Sequence, residues 1–302
     1  MDKLKKWLGD EKINIIDIGA RAIPGEKPIY ENLITDELCE ITTVDPDTST
    51  NSILEKVPST RVMNLTLGTG GKSMFNICTL PSCSSLLKPN MAILSQYSGM
   101  AYFYTITDRT CVDVVKMDDA FPSDNFDFLS IDVQGAELDI LRHGKRNISA
   151  LLGIHIEVAF VEKYIGQPLF REVDNFLANN QFNFHCFTGY GTRSPRDIET
   201  NHSPINGINQ WLWADAFYFH DMTDTAFWSA PGKLLKLACI FHCLYQSYDF
   251  AAHCLKKHDN LFGSSYFAEY TSSISESANI TLKSSNNENE YLSNLAQKIN
   301  FH

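Results

Sequence analysis

The 302-residue sequence is poor in positive charge and has no long hydrophobic segment. Its 25 lysine and arginine residues stand against 36 aspartate and glutamate residues, which gives a net charge of −11 at pH 7. Binding of a nucleic-acid backbone normally requires a basic surface, so this balance argues against nucleic acid and favours a small or neutral substrate. No apolar segment approaches the roughly 20 residues that cross a bilayer, so no membrane span is predicted.

Signs of export are missing as well. The first residues, MDKLKKWLGDEKINIIDIG, contain lysines but neither an uninterrupted apolar segment nor a small-residue cleavage site. Eight cysteines occur without a CxxC pair, which is typical of reduced thiols that fill core space and not of a disulfide framework. Together these absences predict a cytoplasmic protein.

What the sequence does contain is a series of short apolar segments, most of which end in an acid or a glycine. The segment before Asp132 shows this best, because a strand, a Gln134-Gly135 turn and a helix ending near Gly144 follow one another there. This alternation predicts an α/β fold with a doubly wound, mostly parallel sheet. Ligands bind such sheets at the carboxyl ends of the strands. The predicted parallel strands cover residues 13–18, 40–44, 61–67, 126–131 and 152–158.

The remaining segments divide the chain into a main domain and an appendage. We predict a Rossmann-like domain over residues 1–222, which includes two further aromatic-rich strands at 182–187 and 212–220. Two amphipathic helices should form an extension at 223–262, packed on the sheet or on a second subunit of a homo-oligomer. A serine- and asparagine-rich tail at 263–302 is predicted to be flexible, apart from a short helix near 288–299.

Two irregular segments interrupt this main domain. A β-rich insertion at 70–121, with strands at 73–79, 102–107 and 110–116, precedes the central strand and is expected to cover part of the crevice. A long polar loop at 189–211 is unusual for a plain connection and is predicted to be a lid on the substrate side.

The turn after the first strand favours one cofactor class. A dinucleotide needs a Gly-x-Gly-x-x-Gly turn that runs straight into a helix, and this chain offers only Asp17-Ile18-Gly19-Ala20-Arg21. S-adenosylmethionine carries no phosphate. It requires one glycine for close backbone approach, an acid near its amino group and an acid for its ribose hydroxyls. Asp17, Gly19 and Asp45 occupy these places.

Seven blocks of the sequence follow one another along the chain: IDIGA (16–20), VDPD (44–47), CSSLLKPN (83–90), MDD (117–119), DFLSIDVQGAELDIL (127–141), IEVAFVEKYIGQPLFREVDNFL (156–177) and LWADAFYF (212–219). In this order and spacing they resemble the FkbM family of S-adenosylmethionine-dependent methyltransferases. The resemblance implies a class I methyltransferase fold and O-methyl transfer to a sugar, a glycan or a related natural product. Two departures are Ser130, where the family usually has lysine, and Arg21, which we expect to pair with a neighbouring acid or with the cofactor carboxylate.

Methyl transfer of this kind needs positioning and removal of a hydroxyl proton. Asp132 and Glu157 are the candidate bases, and His155 lies on the same face of its strand as Glu157. A divalent metal held by Asp132, Glu137 and Glu157 is an open alternative. The residues predicted to contact substrate are Gln134, Glu137, Tyr164 and Gln167. The residues predicted to contact the cofactor are Asp17, Gly19, Ala20, Asp45, Pro46, Leu67, Gly68 and Asp132.

Two other functions compete with methyl transfer. Asp45-Pro46-Asp47 resembles the Asp-x-Asp turn with which glycosyltransferases hold a metal and a nucleotide sugar. A methyltransferase fold that has lost activity and serves as a binding module is the second. The rivals differ in what they bind, because a glycosyltransferase would take a nucleotide sugar and no S-adenosylmethionine.

Overall fold

The predicted apolar segments meet in one seven-stranded sheet. The computed structural model describes residues 2–20, 27–47, 60–200, 203–278 and 280–282. The sheet order is β3-β2-β1-β7-β8-β10-β9, and only β10 runs against the other six strands. Strand order therefore reverses between β1 and β7, which places a crevice at that point. The seven strands are β1 (Ile13–Ile18), β2 (Cys39–Val44), β3 (Thr60–Met63), β7 (Phe128–Ile131), β8 (Gly153–Ala159), β9 (Phe182–Thr192) and β10 (Trp211–His220).

A small three-stranded sheet and short helices form the insertion before the central strand. In this sheet β6 lies between β4 and β5, parallel to the first and antiparallel to the second. Its strands are β4 (Thr66–Leu67), β5 (Gly71–Cys78) and β6 (Ile106–Val115).

Helices cover both faces of the large sheet. The helices described are α1 (Asp2–Leu8), α2 (Glu31–Thr35), α3 (Met91–Leu94), α4 (Met100–Phe103), α5 (Met117–Ala120), α6 (Glu137–Arg142), α7 (Lys145–Ile148), α8 (Phe170–Ala178), α9 (Pro231–Tyr245), α10 (Tyr248–Phe262) and α11 (Tyr266–Ala278), with 3₁₀ turns at Pro81–Cys83 and Phe227–Ser229. None of these helices is long and apolar enough to cross a membrane.

Each face of the sheet has its own apolar core, because successive side chains of a strand point to opposite faces. Phe128 and Phe217 lie on the face that α9, α10 and α11 cover, together with Phe241. Ile154 of β8 lies on the other face, where it packs in one core with Leu177 of α8 and with residues of α6. Burial of such a side chain contributes about 1.5–3 kcal/mol. The doubly wound, mostly parallel sheet and its helical extension are confirmed.

One ion pair ties the helical extension to the start of the central strand. Lys236 of α9 lies 2.9 Å from the carboxylate of Asp127, the residue before β7. The same carboxylate accepts a hydrogen bond from the backbone N–H of Asn14 in β1 at 2.8 Å. The extension thus contacts the two strands that border the crevice.

A third apolar cluster joins the insertion to the far side of the sheet. Leu94 and Tyr104 of the insertion pack with Tyr164 and Leu212. Backbone bridges connect Pro89 to Tyr164 and Tyr97 to Pro195. The insertion thus packs on the segment that follows β8, and the loop between β9 and β10 packs against the insertion.

The structure corrects several predicted boundaries. Residues 61–67 do not form one strand, because the chain turns after Met63 and delivers Thr66–Leu67 to the small sheet. The strand predicted at 102–107 is wrong at its start, where α4 ends and β6 begins only at Ile106. The predicted lid begins later than expected, because β9 continues to Thr192.

The predicted flexible tail is wrong for α11. Tyr270 and Ile274 of this helix are buried against the extension, and Asp259 accepts hydrogen bonds from the backbone N–H groups of Tyr266 and Phe267. Tyr266, Tyr270 and Ile274 recur every four residues, as on one face of a helix. The serine-rich composition of the segment led instead to the prediction of flexibility. The helix predicted near 288–299 and the pairing of Arg21 lie outside the described residues.

Candidate active site

A cavity of about 640 Å³ opens where the strand order reverses. The ends of β1, β2 and β7 form one side, through Gly19, Asp45 and Asp132. The small sheet forms the other side, through apolar residues such as Phe75 and Val112. This size suits a cofactor or a small ligand. The lining residues make the cleft apolar over most of its wall, with carboxylates at one edge.

Gly19 brings the first turn against the central strand. Its φ of +86° lies in the left-handed region, and a Cβ there would lie 1.9 Å from the backbone oxygen of Asp132. Its N–H donates to the backbone oxygen of Val44 at 2.8 Å. A glycine is therefore required for the close contact between these three strand ends.

The acids of the first two strands have different environments. Asp45 lines the cleft, and its Oδ1 accepts a hydrogen bond from the backbone N–H of Asp47 at 2.7 Å. Asp17 does not line the cleft. Its Oδ2 accepts a hydrogen bond from the Tyr30 hydroxyl at 2.6 Å, and burial raises the pKa of Asp17 to about 6. Asp17 thus stabilises the first turn through its hydrogen bond with Tyr30 and does not face the cleft.

Asp132 presents a carboxylate to the cleft. Its side chain is exposed there, although protein surrounds the base of the cleft. Desolvation by the protein around the base of the cleft, followed by repulsion from Glu157 and Glu137, raises the pKa of Asp132 well above the usual range. Gln134 donates from Nε2 to Asp132 Oδ1 at 2.7 Å, which opposes that rise. Oδ2 receives no hydrogen bond from the described residues, so it is the oxygen available to a ligand.

Gln134 is itself held by the insertion. Its φ of +58° is a left-handed conformation that a residue of this type seldom adopts. Its side-chain oxygen accepts a hydrogen bond from the Tyr164 hydroxyl at 3.0 Å, and its backbone oxygen accepts one from Ser85 Oγ at 2.7 Å. These contacts fix the amide that positions Asp132.

Glu157 forms a buried ion pair with Lys163. The distance from Lys163 Nζ to Glu157 Oε1 is 2.7 Å, and the side chains are only 2% and 8% exposed. The ammonium also lies over the ring of Trp213, 4.8 Å from its centroid. Although burial alone would lower it, the pKa of Lys163 is raised by Glu157, so the ammonium stays charged. Glu157 is therefore an ion-pair partner, and Asp132 is the better placed of the two predicted bases.

His155 is partly buried and contacts the helical extension. Its Nδ1 is 3.2 Å from the hydroxyl of Tyr245, at the end of α9. Burial lowers the pKa of His155 to about 4, so the ring is neutral at physiological pH. It shares the face of Glu157, as the sequence predicts, but lies two residues before it in the strand.

Three of the residues predicted to contact substrate are buried behind the cleft wall. Glu137 Oε1 accepts hydrogen bonds from the backbone N–H groups of Val133 and Gly135, which holds the turn. Burial raises its pKa to about 7. Tyr164 is fully buried, and Gln167 Oε1 accepts from the backbone N–H of Tyr164. None of the three lines the cleft, and their contact with substrate stays a prediction.

Five predicted cofactor residues line the cleft, and three do not. Asp17, Ala20 and Gly68 lie next to it but form no part of its wall. No group of three or more His, Cys, Asp or Glu side chains in the described ranges is arranged to hold a metal ion. The five lining residues are Gly19, Asp45, Pro46, Leu67 and Asp132.

Sequence reasoning missed two parts of this site. The apolar wall of the small sheet was missed because Phe75 and Val112 reach the cleft only through the fold of the insertion. The second part is Asp215, which pairs with Glu157 across β10 and β8. This residue could have been recognised from the sequence. It is the one charged residue in the apolar strand WLWADAFYF, and buried acids in such strands are rare.

A sequence profile of the FkbM methyltransferase domain matches residues 17–184, more than half of the chain. The chain belongs to the FkbM methyltransferase family. This confirms the predicted family and its class I methyltransferase fold. The methyl donor of this family is S-adenosylmethionine, as the resemblance implied. Family membership also favours methyl transfer over the glycosyltransferase and binding-module alternatives.

Comparison with solved structures finds distant neighbours. Magnesium protoporphyrin IX methyltransferase (ChlM) from Synechocystis PCC 6803, solved with bound SAM, is 10% identical and has a TM-score of 0.34, with 73% of this chain and 77% of that chain covered. The 23S rRNA methyltransferase ErmE is 11% identical with a TM-score of 0.32, over 84% and 80% of the two chains. A protein of the NADB-Rossmann superfamily from Streptococcus agalactiae is 12% identical, with a TM-score of 0.34 over 91% and 96%. No curated protein sequence matches the chain.

Proposed function

We propose that this FkbM family member binds S-adenosylmethionine in the cleft and catalyses O-methylation of a sugar, a glycan or a related natural product. The observation that carries the proposal is the carboxylate of Asp132. It faces the cleft, one of its oxygens is held by Gln134 and the other is available. That arrangement suits the acceptance of a proton from a hydroxyl.

The cleft residues fit the proposed cofactor. Asp45 offers a carboxylate to ribose hydroxyls, and the Gly19 turn admits a ligand close to the backbone. Phe75, Val112 and Leu86 provide an apolar surface for a purine. When bound, S-adenosylmethionine supplies an electrophilic methyl group on a sulfonium sulfur.

Asp132 performs the proton transfer in this proposal. Its raised pKa makes it a stronger base than an ordinary aspartate, and a base is most effective when its pKa approaches the working pH. The acceptor hydroxyl would give its proton to Asp132 Oδ2 while its oxygen takes the methyl group; the bond from the methyl carbon to sulfur would break, with S-adenosylhomocysteine as the leaving group. Gln134 keeps Oδ1 fixed during this step.

Titration calorimetry tests the cofactor site. We expect wild type to bind S-adenosylmethionine and S-adenosylhomocysteine, and a nucleotide sugar to show no binding. Asp45→Ala should weaken both sulfur ligands. Asp45→Asn is the matched control, because its amide oxygen can still accept the hydrogen bond from Asp47 that holds the turn. Binding of the nucleotide sugar alone would replace this proposal with the glycosyltransferase alternative.

A second experiment tests the base. In methyl-transfer assays over a panel of hydroxylated acceptors, Asp132→Asn should lower turnover by about 10²–10⁴-fold. S-adenosylhomocysteine should still bind, because the amide has nearly the same size. Turnover equal to that of wild type would eliminate Asp132 as the base.

A further inference from the structure

Polar side chains interrupt the apolar face of the sheet that the helical extension covers. Asp17, Ser130, His155 and Asp215 belong to four neighbouring strands, β1, β7, β8 and β10. Strand register pairs Asp17 with Ser130, Ser130 with His155, and Glu157 with Asp215. Their positions alternate with those of Ile16, Leu129, Ile154 and Ala214, which belong to the opposite core. The polar residues therefore form one band across one face.

The band begins where α9 ends on that face. Tyr245 is the last residue of α9, and its ring stacks on Phe217 with a centroid distance of 3.8 Å. Gln246 then leaves the helix in a left-handed conformation, with φ of +52°. Phe217 pairs with His155, so α9 covers the sheet only up to that level. Ser130, His155 and Asp215 remain partly accessible although all three belong to interior strands. Tyr245 is partly accessible as well, and we call the group formed by Ser130, His155, Asp215 and Tyr245 the polar pocket.

Two groups of the polar pocket have unused hydrogen-bonding capacity. Within the described ranges, the carboxylate of Asp215 receives no hydrogen bond, and His155 uses only Nδ1. Burial, together with repulsion from Glu157, raises the pKa of Asp215 to about 6. Neither group is fully buried, so water can reach them, and a ligand that displaces this water can take up the unused hydrogen bonds.

We propose that the polar pocket binds an uncharged, hydroxyl-bearing part of the acceptor next to the hydroxyl that is methylated. This inference rests on the proposed methyl transfer and adds to it a second subsite and a charge preference. Asp132 follows Ser130 by two residues, so the polar pocket continues from the proposed base along the same face. Its wall includes Tyr245, so the C-terminal extension takes part in acceptor binding.

The composition of the polar pocket decides the ligand class. Asp132, Glu157 and Asp215 would repel a phosphate or a carboxylate, because these three carboxyl groups stand against the single positive charge of the Lys163 ammonium, which attracts all three of them. Asp215 accepts hydrogen bonds, whereas neutral His155 Nε2 and the hydroxyls of Ser130 and Tyr245 can serve partners that both donate and accept. A hydroxyl group does both, but an ammonium group only donates.

Saturation-transfer NMR with the full chain and S-adenosylhomocysteine tests the inference. The probes are neutral methyl pyranosides, the matching sugar 6-phosphates and the matching amino sugars. We expect the neutral pyranosides to give a saturation-transfer signal with wild type and to lose most of that signal with Asp215→Ala. Tyr245→Phe, which keeps the stacked ring, should weaken them less. Asp113→Ala, which removes an exposed aspartate of β6, should behave as wild type.

Each other outcome has a defined meaning. Equal or stronger binding of the phosphates, a clear preference for amino sugars, or no binding of any probe would overturn the inference. Unchanged pyranoside binding in Asp215→Ala, with unfolding temperature preserved, would also overturn it. Failure of wild type to bind S-adenosylhomocysteine in calorimetry would instead count against the proposed function, since Asp215 does not line the cofactor cleft.

Discussion

The cofactor cleft and the polar pocket are neighbours, but the chain builds them in different ways. Cleft residues such as Gly19, Asp45 and Asp132 lie in short turns directly after strands. The polar pocket joins residues that are distant in the chain, such as His155 and Tyr245, which are 90 positions apart. Turn chemistry therefore determines the cofactor half, whereas strand register and one helix end determine the acceptor half.

The largest effect should come from breaking the ion pair between the two regions. Glu157→Gln leaves the Lys163 ammonium buried without its charged partner, which should lower the free energy of unfolding by about 3–5 kcal/mol. Urea denaturation at pH 7 measures this loss. The double variant Glu157→Leu with Lys163→Met is the control, because an apolar pair of similar volume should recover most of it. If Glu157→Gln alone is as stable as wild type, the ion pair has no structural role.

A smaller effect, confined to the cofactor half, is expected for Gly19→Ala. The added methyl group would meet the backbone of Asp132, and alanine at a φ of +86° costs about 1–2 kcal/mol more. We expect S-adenosylhomocysteine affinity to fall about tenfold or more, since about 1.4 kcal/mol corresponds to tenfold. Gly166→Ala is a suitable control, because its φ is also positive and its Cβ would meet no atom within 4 Å. Equal losses of S-adenosylhomocysteine affinity in both variants would show that the effect comes from backbone strain and not from the contact with Asp132.

The smallest effect is expected when the Gln134 amide is removed, and it tests whether Gln134 positions Asp132. Its amide donates to Asp132 and lowers the pKa of that carboxyl, so Gln134→Ala should move the Asp132 titration to higher pH. The ¹³C chemical shift of the Asp132 carboxyl, assigned with Asp132→Asn, reports the titration directly. Gln134→Asn relaxes the left-handed backbone but is too short for the same contact, so it should shift in the same direction. A shift to lower pH in both variants would contradict the positioning role.

Much of the cofactor half could be predicted from sequence. Each acid that ends a strand marks the active edge, which is why Asp45 and Asp132 are found where the turns predict them. Sequence reasoning could not show that Tyr164 and Gln167 are buried behind the wall. Their burial arises because the insertion packs on them, and that packing follows from tertiary contacts with no local signal.

The acceptor half was harder to predict, for a physical reason. The two-residue period of strands does place His155 and Glu157 on one face, as expected. It cannot show that Lys163 turns back to neutralise Glu157, or that α9 ends at the level of His155. Asp215 was visible as an acid within an apolar strand, but its neighbours depend on how β10 enters the sheet.

The shared apolar core has a consequence for synthesis of the chain. The strands that carry Phe128 and Phe217 are synthesised before α9, α10 and α11, yet those helices supply the other half of the core on that face. During translation, one apolar face of the sheet therefore stays uncovered until residues as late as Tyr270 and Ile274 have left the ribosome. An exposed face of this kind promotes aggregation, so the nascent chain should depend on chaperones until its last helices dock.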